Sequence, residues 1–284
     1  MKRRLSITNH DRDIADRTYV YPVVSRRAGG VSVGVNLNPN NACNWRCAYC
    51  QVPDLVRGAA PPIDRALLRT ELSSMLEEVQ TPAWLEAHAP EGARTLVDVA
   101  ISGNGEPTTC TNLDEITEDI LTVIAAQLPD TEINKVIISN GSLVDRPQVL
   151  RALDLWSAAG GELWFKVDAG DPSLRQRLNG TSQSNERTIS LLVTASERVK
   201  TRIQTCVVSW DDVPPSADET RAYLDLLRGA QAAGAVIHDV LLYGMARASH
   251  QPEADRIAHP GADWMRAHAT TLTESLGVPV HVHA

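Results

Sequence analysis

Between residues 31 and 243 the chain alternates six times between short period-two segments and longer segments with apolar positions three and four apart. In the first, Val31, Val33, Val35 and Leu37 interleave with Ser32, Gly34, Asn36 and Asn38, as in a strand. Further strands are expected at about 95–102, 135–139, 162–168, 201–208 and 236–243. Ile63, Leu67, Leu68, Leu72, Met75, Leu76 and Val79 mark a helical face entered after Pro61-Pro62. More helices are expected near 113–127, 147–159, 186–198 and 218–233. A last helix near 262–276 and a short segment at 278–283 close the chain. Six strand–helix units in series predict an α/β fold with a parallel sheet and right-handed crossovers. Six units are enough for a partial (βα)6 TIM-like barrel, whose working groups collect at the carboxyl ends of the strands.

The expected organisation is a basic N-terminal arm at 1–30, the partial barrel at 31–243 and a short C-terminal extension at 244–284. The 284 residues, 43 % hydrophobic, suffice for one α/β domain with a proper core. In the arm, Lys2, Arg3, Arg4, Arg12, Arg17, Arg26 and Arg27 face only Asp11, Asp13 and Asp16, a surplus of four positive charges. The whole chain carries −8, so the remainder carries −12. That balance argues against broad nucleic-acid binding, which requires phosphate neutralisation. The arm reads as a solvated segment or as a basic lid over an anionic ligand. No apolar run reaches the roughly 20 residues of a membrane span, and no apolar segment follows the basic start as in a signal peptide. Five cysteines, three of them clustered, do not resemble a disulfide framework, and a reducing cytoplasmic setting is expected.

Strand alternation also sorts faces. Leu163, Phe165 and Val167 lie opposite Trp164, Lys166 and Asp168; Arg202, Gln204, Cys206 and Val208 lie opposite Ile203 and Val207; Asp98, Ala100 and Ser102 lie opposite Val97, Val99 and Ile101. One face of each is apolar and would meet helices. The other is small or polar and would line an interior shaped for a polar ligand.

Two motifs fall on the expected rim. Cys43, Cys47 and Cys50 follow the first strand with C-x3-C-x2-C spacing, and Tyr49 precedes the last cysteine. Three thiolates hold three irons of a four-iron cluster and leave one iron open. A zinc knuckle would need a fourth Cys or His at zinc spacing, and none is nearby. Gly103-Asn104-Gly105-Glu106-Pro107 follows the second strand; alone it would be only a tight turn. Cys110 and Cys206 read as small buried residues, and His281 and His283 as an exposed terminal strand rather than a metal site.

Together these motifs resemble the radical S-adenosylmethionine (SAM) enzymes, over roughly residues 31–243. The resemblance implies a single 4Fe-4S cluster on Cys43, Cys47 and Cys50, with SAM chelating the open iron. It implies a glycine-rich SAM motif at Gly103, Asn104, Gly105 and Glu106, with Glu106 on the SAM ammonium. By position, Asn140 and Asp168, and after them Gln204, are candidates for SAM's carboxylate or ribose hydroxyls, Tyr243 and neighbouring backbone for the adenine border, and Tyr49, before the last cysteine, is a further cofactor-binding candidate. Lys166 is a candidate catalytic lysine through a Schiff base, or else a partner of Asp168 or of SAM's carboxylate. The segment 245–259 is polar and reads as a cover for the cofactor.

Within the superfamily, Ser25-Arg26-Arg27, Cys50-Gln51, Gly105-Glu106-Pro107-Thr108 and Lys166-Val167-Asp168-Ala169-Gly170-Asp171 are most similar to the wyosine-synthesis-like branch and its uncharacterised bacterial relatives. The implied partners are an electron donor such as flavodoxin or ferredoxin and a small-molecule, nucleoside or peptide substrate, with local tRNA contact and no membrane. Two other readings are an activase or peptide-modifying enzyme and a non-catalytic iron–sulfur electron carrier. The Gly103–Glu106 turn argues against the carrier, because electron transfer does not need it.

Overall fold

A computed structural model describes Leu5, residues 17–25 and residues 29–283. Most of the basic arm, including Lys2, Arg3, Arg4, Arg12, Arg26 and Arg27, lies outside the described residues. Twelve strands occur among them: β1 Val20–Ser25, β2 Gly30–Val35, β3 Ala42–Cys43, β4 Val56–Arg57, β5 Leu96–Ile101, β6 Asn134–Ser139, β7 Glu162–Lys166, β8 Lys200–Val207, β9 Ser209–Trp210, β10 Ile237–Gly244, β11 Ile257–Ala258 and β12 Val280–His283. The α-helices are α1 Arg65–Val79, α2 Pro82–His88, α3 Leu113–Gln127, α4 Pro147–Ala158, α5 Pro172–Asn179, α6 Asn185–Ser196, α7 Ala217–Ala232 and α8 Ala262–Leu276. No helix among the described residues is long and apolar enough to cross a membrane.

One sheet has the order β1-β2-β5-β6-β7-β8-β10-β12. The six strands from β2 to β10 are the expected ones, paired in parallel and in chain order, so the partial (βα)6 barrel is the observed architecture. The sheet extends past both ends of that set. At one edge β1 pairs antiparallel with β2, and Pro22 in its middle suits an edge, where a missing N–H breaks no ladder. At the other edge β12 pairs in parallel with β10.

The outward strand faces and the helices form the main core. Val31, Val33, Val35, Phe165 and Ile203 meet Leu68, Leu72, Ile116, Ile120, Trp156 and Leu227, all essentially without exposure. Helix starts match their sequence signals. Asp64 caps α1 at the amide of Leu67 (3.0 Å), and Ser216 and Glu219 form a capping box on α7. Glu71 of α1 accepts the amides of Thr18, Tyr19 and Val20, and Arg17 pairs with Glu78 at 2.5 Å, which fixes the approach to β1.

The interior is not polar throughout, as the alternation suggested. Its middle is an apolar cluster of Ala100, Val136, Trp164 and Leu241, which fills the narrow half-barrel with side chains. Below it, Arg202 bridges Glu162 (3.1 Å) and Asp239 (2.6 Å), with Lys200 and His281 on the same two carboxylates. These charges sit at the amino ends of the strands and close the barrel from beneath.

Candidate functional site

The residues singled out by spacing converge on one cavity of about 310 Å³ at the carboxyl ends of the strands. Cys43, Cys47, Tyr49, Cys50, Gly103, Asn104, Gly105, Glu106, Asn140, Lys166, Gln204 and Tyr243 all line it. Asp168 does not. The ladder of β7 ends at Lys166, and beyond it the Asp168 carboxylate turns away from the opening. There it accepts from Asn179 Nδ2 (2.6 Å), the amide of Cys206 (2.8 Å) and the Tyr49 hydroxyl, and it faces a smaller void behind the wall. Its side chain is wholly buried, so it reaches the cavity only through its neighbours.

The cysteine loop is shaped by segments far from it in sequence. Cys43 lies in β3, which pairs with β4, and the Gly58 amide donates to the Cys43 carbonyl (3.1 Å). The Arg57 guanidinium donates to the carbonyls of Asn44 and Gly180. The amides of Arg46 and Ala48 donate to the carbonyls of Asn179 (3.1 Å) and Leu178 (2.7 Å) at the end of α5. From the C-terminal extension, Ser249 Oγ donates to the Ala48 carbonyl (2.6 Å), the His250 amide to the Cys50 carbonyl (2.9 Å), and Glu253 holds Arg46 at 2.6 and 2.9 Å.

The glycine turn packs against the start of that loop. A Cβ on Gly103, whose φ is +148°, would stand 2.3 Å from Asn36 Oδ1, and one on Gly105 would stand 2.0 Å from the Ala42 carbonyl oxygen. Asn36 Oδ1 accepts from the amides of Asn38 and Asn104, and Asn104 Nδ2 donates to Asn41 Oδ1 (2.6 Å). Only glycine permits this approach of two backbones. Glu106 follows with 3 % exposure. Its Oε1 accepts from Thr108 N, Thr108 Oγ1 and Ser139 Oγ, and its Oε2 from Asn140 N at 2.7 Å. Burial nonetheless pushes its pKa above the usual carboxylate value, against the pull of those donors. Asn140 Nδ2 in turn donates to Asn44 Oδ1 (2.9 Å), which ties this rim back to the cysteine loop.

Lys166 Nζ stands 3.6 Å from Asp168, 3.1 Å from the Tyr243 hydroxyl and 5.0 Å from the Tyr49 ring centre. Burial disfavours its charge, but Asp168, Tyr243 and Cys47 together outweigh that and hold the pKa well above the usual lysine value. That direction favours the ammonium, the form that pairs with an anion, over the free amine that Schiff-base attack requires. Burial pushes the Cys43 thiol up to about 12, with Glu106 adding to it, and the Cys47 thiol up to about 11, against the pull of Lys166. A bound metal reverses that logic by displacing the proton outright.

The arrangement fits a cluster and a polar ligand. Three thiols open on one cavity, and Gln204, 2 % exposed, directs an Nε2 with no partner among the described residues from the same wall. A buried donor of this kind costs stability unless a ligand satisfies it. No set of three His, Cys, Asp or Glu among the described residues is gathered tightly enough to chelate one ion. Thiolates of a four-iron cluster bind separate irons and need not meet at one point. Sequence reasoning missed Asn179, because α5 was not expected. It also missed the contribution of β1, whose Tyr21, Val23 and Ser25 line the open side. Cys206, read as a buried residue, is 1 % exposed and lines the same cavity.

Comparison with known proteins agrees. The profile described as Radical SAM superfamily matches residues 37–212. A UPF0026 protein of Synechocystis sp. is 27 % identical over 162 residues, which cover 56 % of this chain and 52 % of that protein. The fold is similar to a radical SAM methyltransferase from Sphaerobacter thermophilus (TM-score 0.61, 16 % identity), over 89 % of this chain and 66 % of that one. It is also similar to native anSMEcpe with bound AdoMet and Kp18Cys peptide (TM-score 0.53, 14 % identity), over 88 % and 63 %. The chain thus spans about half to two thirds of the length of these proteins.

Proposed function

The chain belongs to the radical SAM superfamily, whose members use a 4Fe-4S cluster and SAM, and from that premise we propose that it is an enzyme reductively cleaving SAM at a single cluster held by Cys43, Cys47 and Cys50. When bound, the cofactors supply a 5′-deoxyadenosyl radical that takes a hydrogen atom from the substrate. The chain supplies placement and exclusion of water. Gly103, Asn104 and Gly105 would bring backbone against the SAM amino group, and the Glu106 carboxylate would hold that ammonium. Lys166 presents a fixed positive charge to an anionic group. Gln204 and Asn140 offer amide groups, and Tyr49 and Tyr243 form the wall beside the adenine. Asp168 acts through Lys166 and Tyr49 rather than on the ligand. The observation carrying the reading is that three thiols, the glycine turn and an unsatisfied buried amide open on one cavity.

The finer reading takes the catalytic unit as 31–243, flanked by the arm and the extension, in the neighbourhood of the wyosine-synthesis branch. Its substrate is then a modified nucleoside of tRNA or a small metabolite, and its reductant a flavodoxin or ferredoxin. The acidic balance weighs against a large RNA footprint, and the basic arm leaves a local contact open. Anaerobic reconstitution, reduction and addition of SAM should yield 5′-deoxyadenosine. An intact four-iron cluster that yields none sinks the reading. Deuterium transfer into 5′-deoxyadenosine from labelled tRNA, peptide or metabolite pools then sorts the substrate class.

A further inference from the structure

α5 ends beside Cys47 in a way that gives one side chain a specific task. Its backbone straddles that cysteine: the Asn179 carbonyl accepts from Arg46 and the Leu178 carbonyl from Ala48. Gly180 terminates the helix in the left-handed region (φ +62°), and a Cβ there would stand 2.9 Å from the Arg46 carbonyl oxygen. The Asn179 side chain, on a residue 1 % exposed, then lies across from the sulfur. Its Nδ2 is 2.6 Å from Asp168 Oδ2 and 3.4 Å from both Cys47 Sγ and the Tyr49 hydroxyl.

The 2.6 Å contact settles which end of the amide is nitrogen, since Asp168 Oδ2 is the acceptor and the amide Nδ2 the donor. With one hydrogen committed to Asp168, the second is left for Cys47 and Tyr49. We infer that Asn179 is a positioning residue that donates an N–H to the Cys47 thiolate and sets the reduction potential of the cluster that this cysteine holds. Donors to cluster sulfurs stabilise the more negative, reduced state and raise the potential. The inference rests on the reading of Cys47 as an iron ligand. It adds a residue that touches neither SAM nor substrate.

The test is an EPR-monitored redox titration of the SAM-free reconstituted protein, wild type against Asn179→Leu and Asn179→Ala. Loss of one charge-assisted donor should shift the reduced-to-oxidised ratio at fixed potential about tenfold toward oxidised, which is about 59 mV more negative for one electron. An unchanged midpoint in a variant that keeps four irons overturns the inference. If neither variant retains iron, pulsed EPR of wild-type protein carrying 15N-asparagine decides. A side-chain nitrogen coupling to the reduced cluster supports the donor, and its absence overturns it. A wild-type protein that assembles no four-iron cluster would instead refute the functional reading beneath.

Discussion

Gly105→Ala probes the junction of the two cofactor-facing loops. The added methyl would stand 2.0 Å from the Ala42 carbonyl oxygen, 2.7 Å from Asn38 Cγ and 2.9 Å from the Ala42 carbonyl carbon. Real Cβ contacts essentially never fall under 3.0 Å, so the backbone of β3 must retreat by about 1 Å. β3 cannot retreat alone, because Cys43 is its second residue and pairs with Arg57. Overpacking of this kind costs about 1–3 kcal/mol, and a backbone obstacle places it at the upper end. For a chain of this length that lowers Tm by about 3–5 °C. The same retreat displaces Cys43, and a 1 Å error in catalytic placement costs about 100-fold in rate. Thermal melts of the metal-free protein and iron per chain after reconstitution give the two readouts. Gly58→Ala is the control, since its methyl meets only the Ala42 Cβ, at 3.3 Å. A Gly105→Ala protein that melts within about 1 °C of wild type and takes up full iron would refute the reasoning.

Arg202→Met should cost about 3 kcal/mol in urea denaturation, since Glu162 and Asp239 keep their charges without the central cation. Lys166→Gln should weaken SAM binding in equilibrium dialysis by at least about tenfold while leaving iron content intact, and Lys166→Arg should not fully restore it, because a planar guanidinium does not reproduce the compact point charge that the ammonium places beside the two tyrosine rings. His268 provides a pH test. Burial lowers its folded pKa to about 4, beneath the ordinary value of 6.5. Between those values the unfolded chain binds a proton that the folded chain refuses. Stability is therefore full above pH 6.5 and falls as pH drops toward 4, by up to about 3 kcal/mol. His268→Phe should flatten that slope in urea titrations; an unchanged slope would show that other groups carry it.

Periodicity was readable where one face is buried and the other is not. That condition holds for the six parallel strands, whose order and rim-facing residues follow directly. It fails for β1, where Pro22 interrupts an apolar run at an edge. It also fails for α5, whose Arg175, Gln176 and Arg177 give little apolar face. A usable signal for α5 was nonetheless present: Asp171 caps the Leu174 amide at 2.8 Å and Pro172 occupies the first turn, the usual order at a helix start. Missing α5 meant missing Asn179. Alternation also carried Asp168 into the cavity by counting from Trp164 and Lys166. The ladder stops at Lys166, and beyond a strand end the period no longer governs where a side chain points. Glycine roles were the most legible, because a tight turn and a close approach leave few other residues possible.

The fasteners of the cysteine loop set an order of events in the life of the chain. Arg46 and Glu253 are 207 positions apart, and Ser249 and His250 close on the same loop. A ribosome adding about 5–20 residues per second needs roughly 10–40 s to pass from one to the other. Throughout that interval Cys43, Cys47 and Cys50 are already made but lack their final frame. Iron delivered early would meet three thiols on an unshaped loop, whereas iron delivered after release would meet a finished cradle. On the reading that these cysteines hold the cluster, the wiring of this loop would place metal loading after synthesis, with the nascent thiols exposed to oxidation until then.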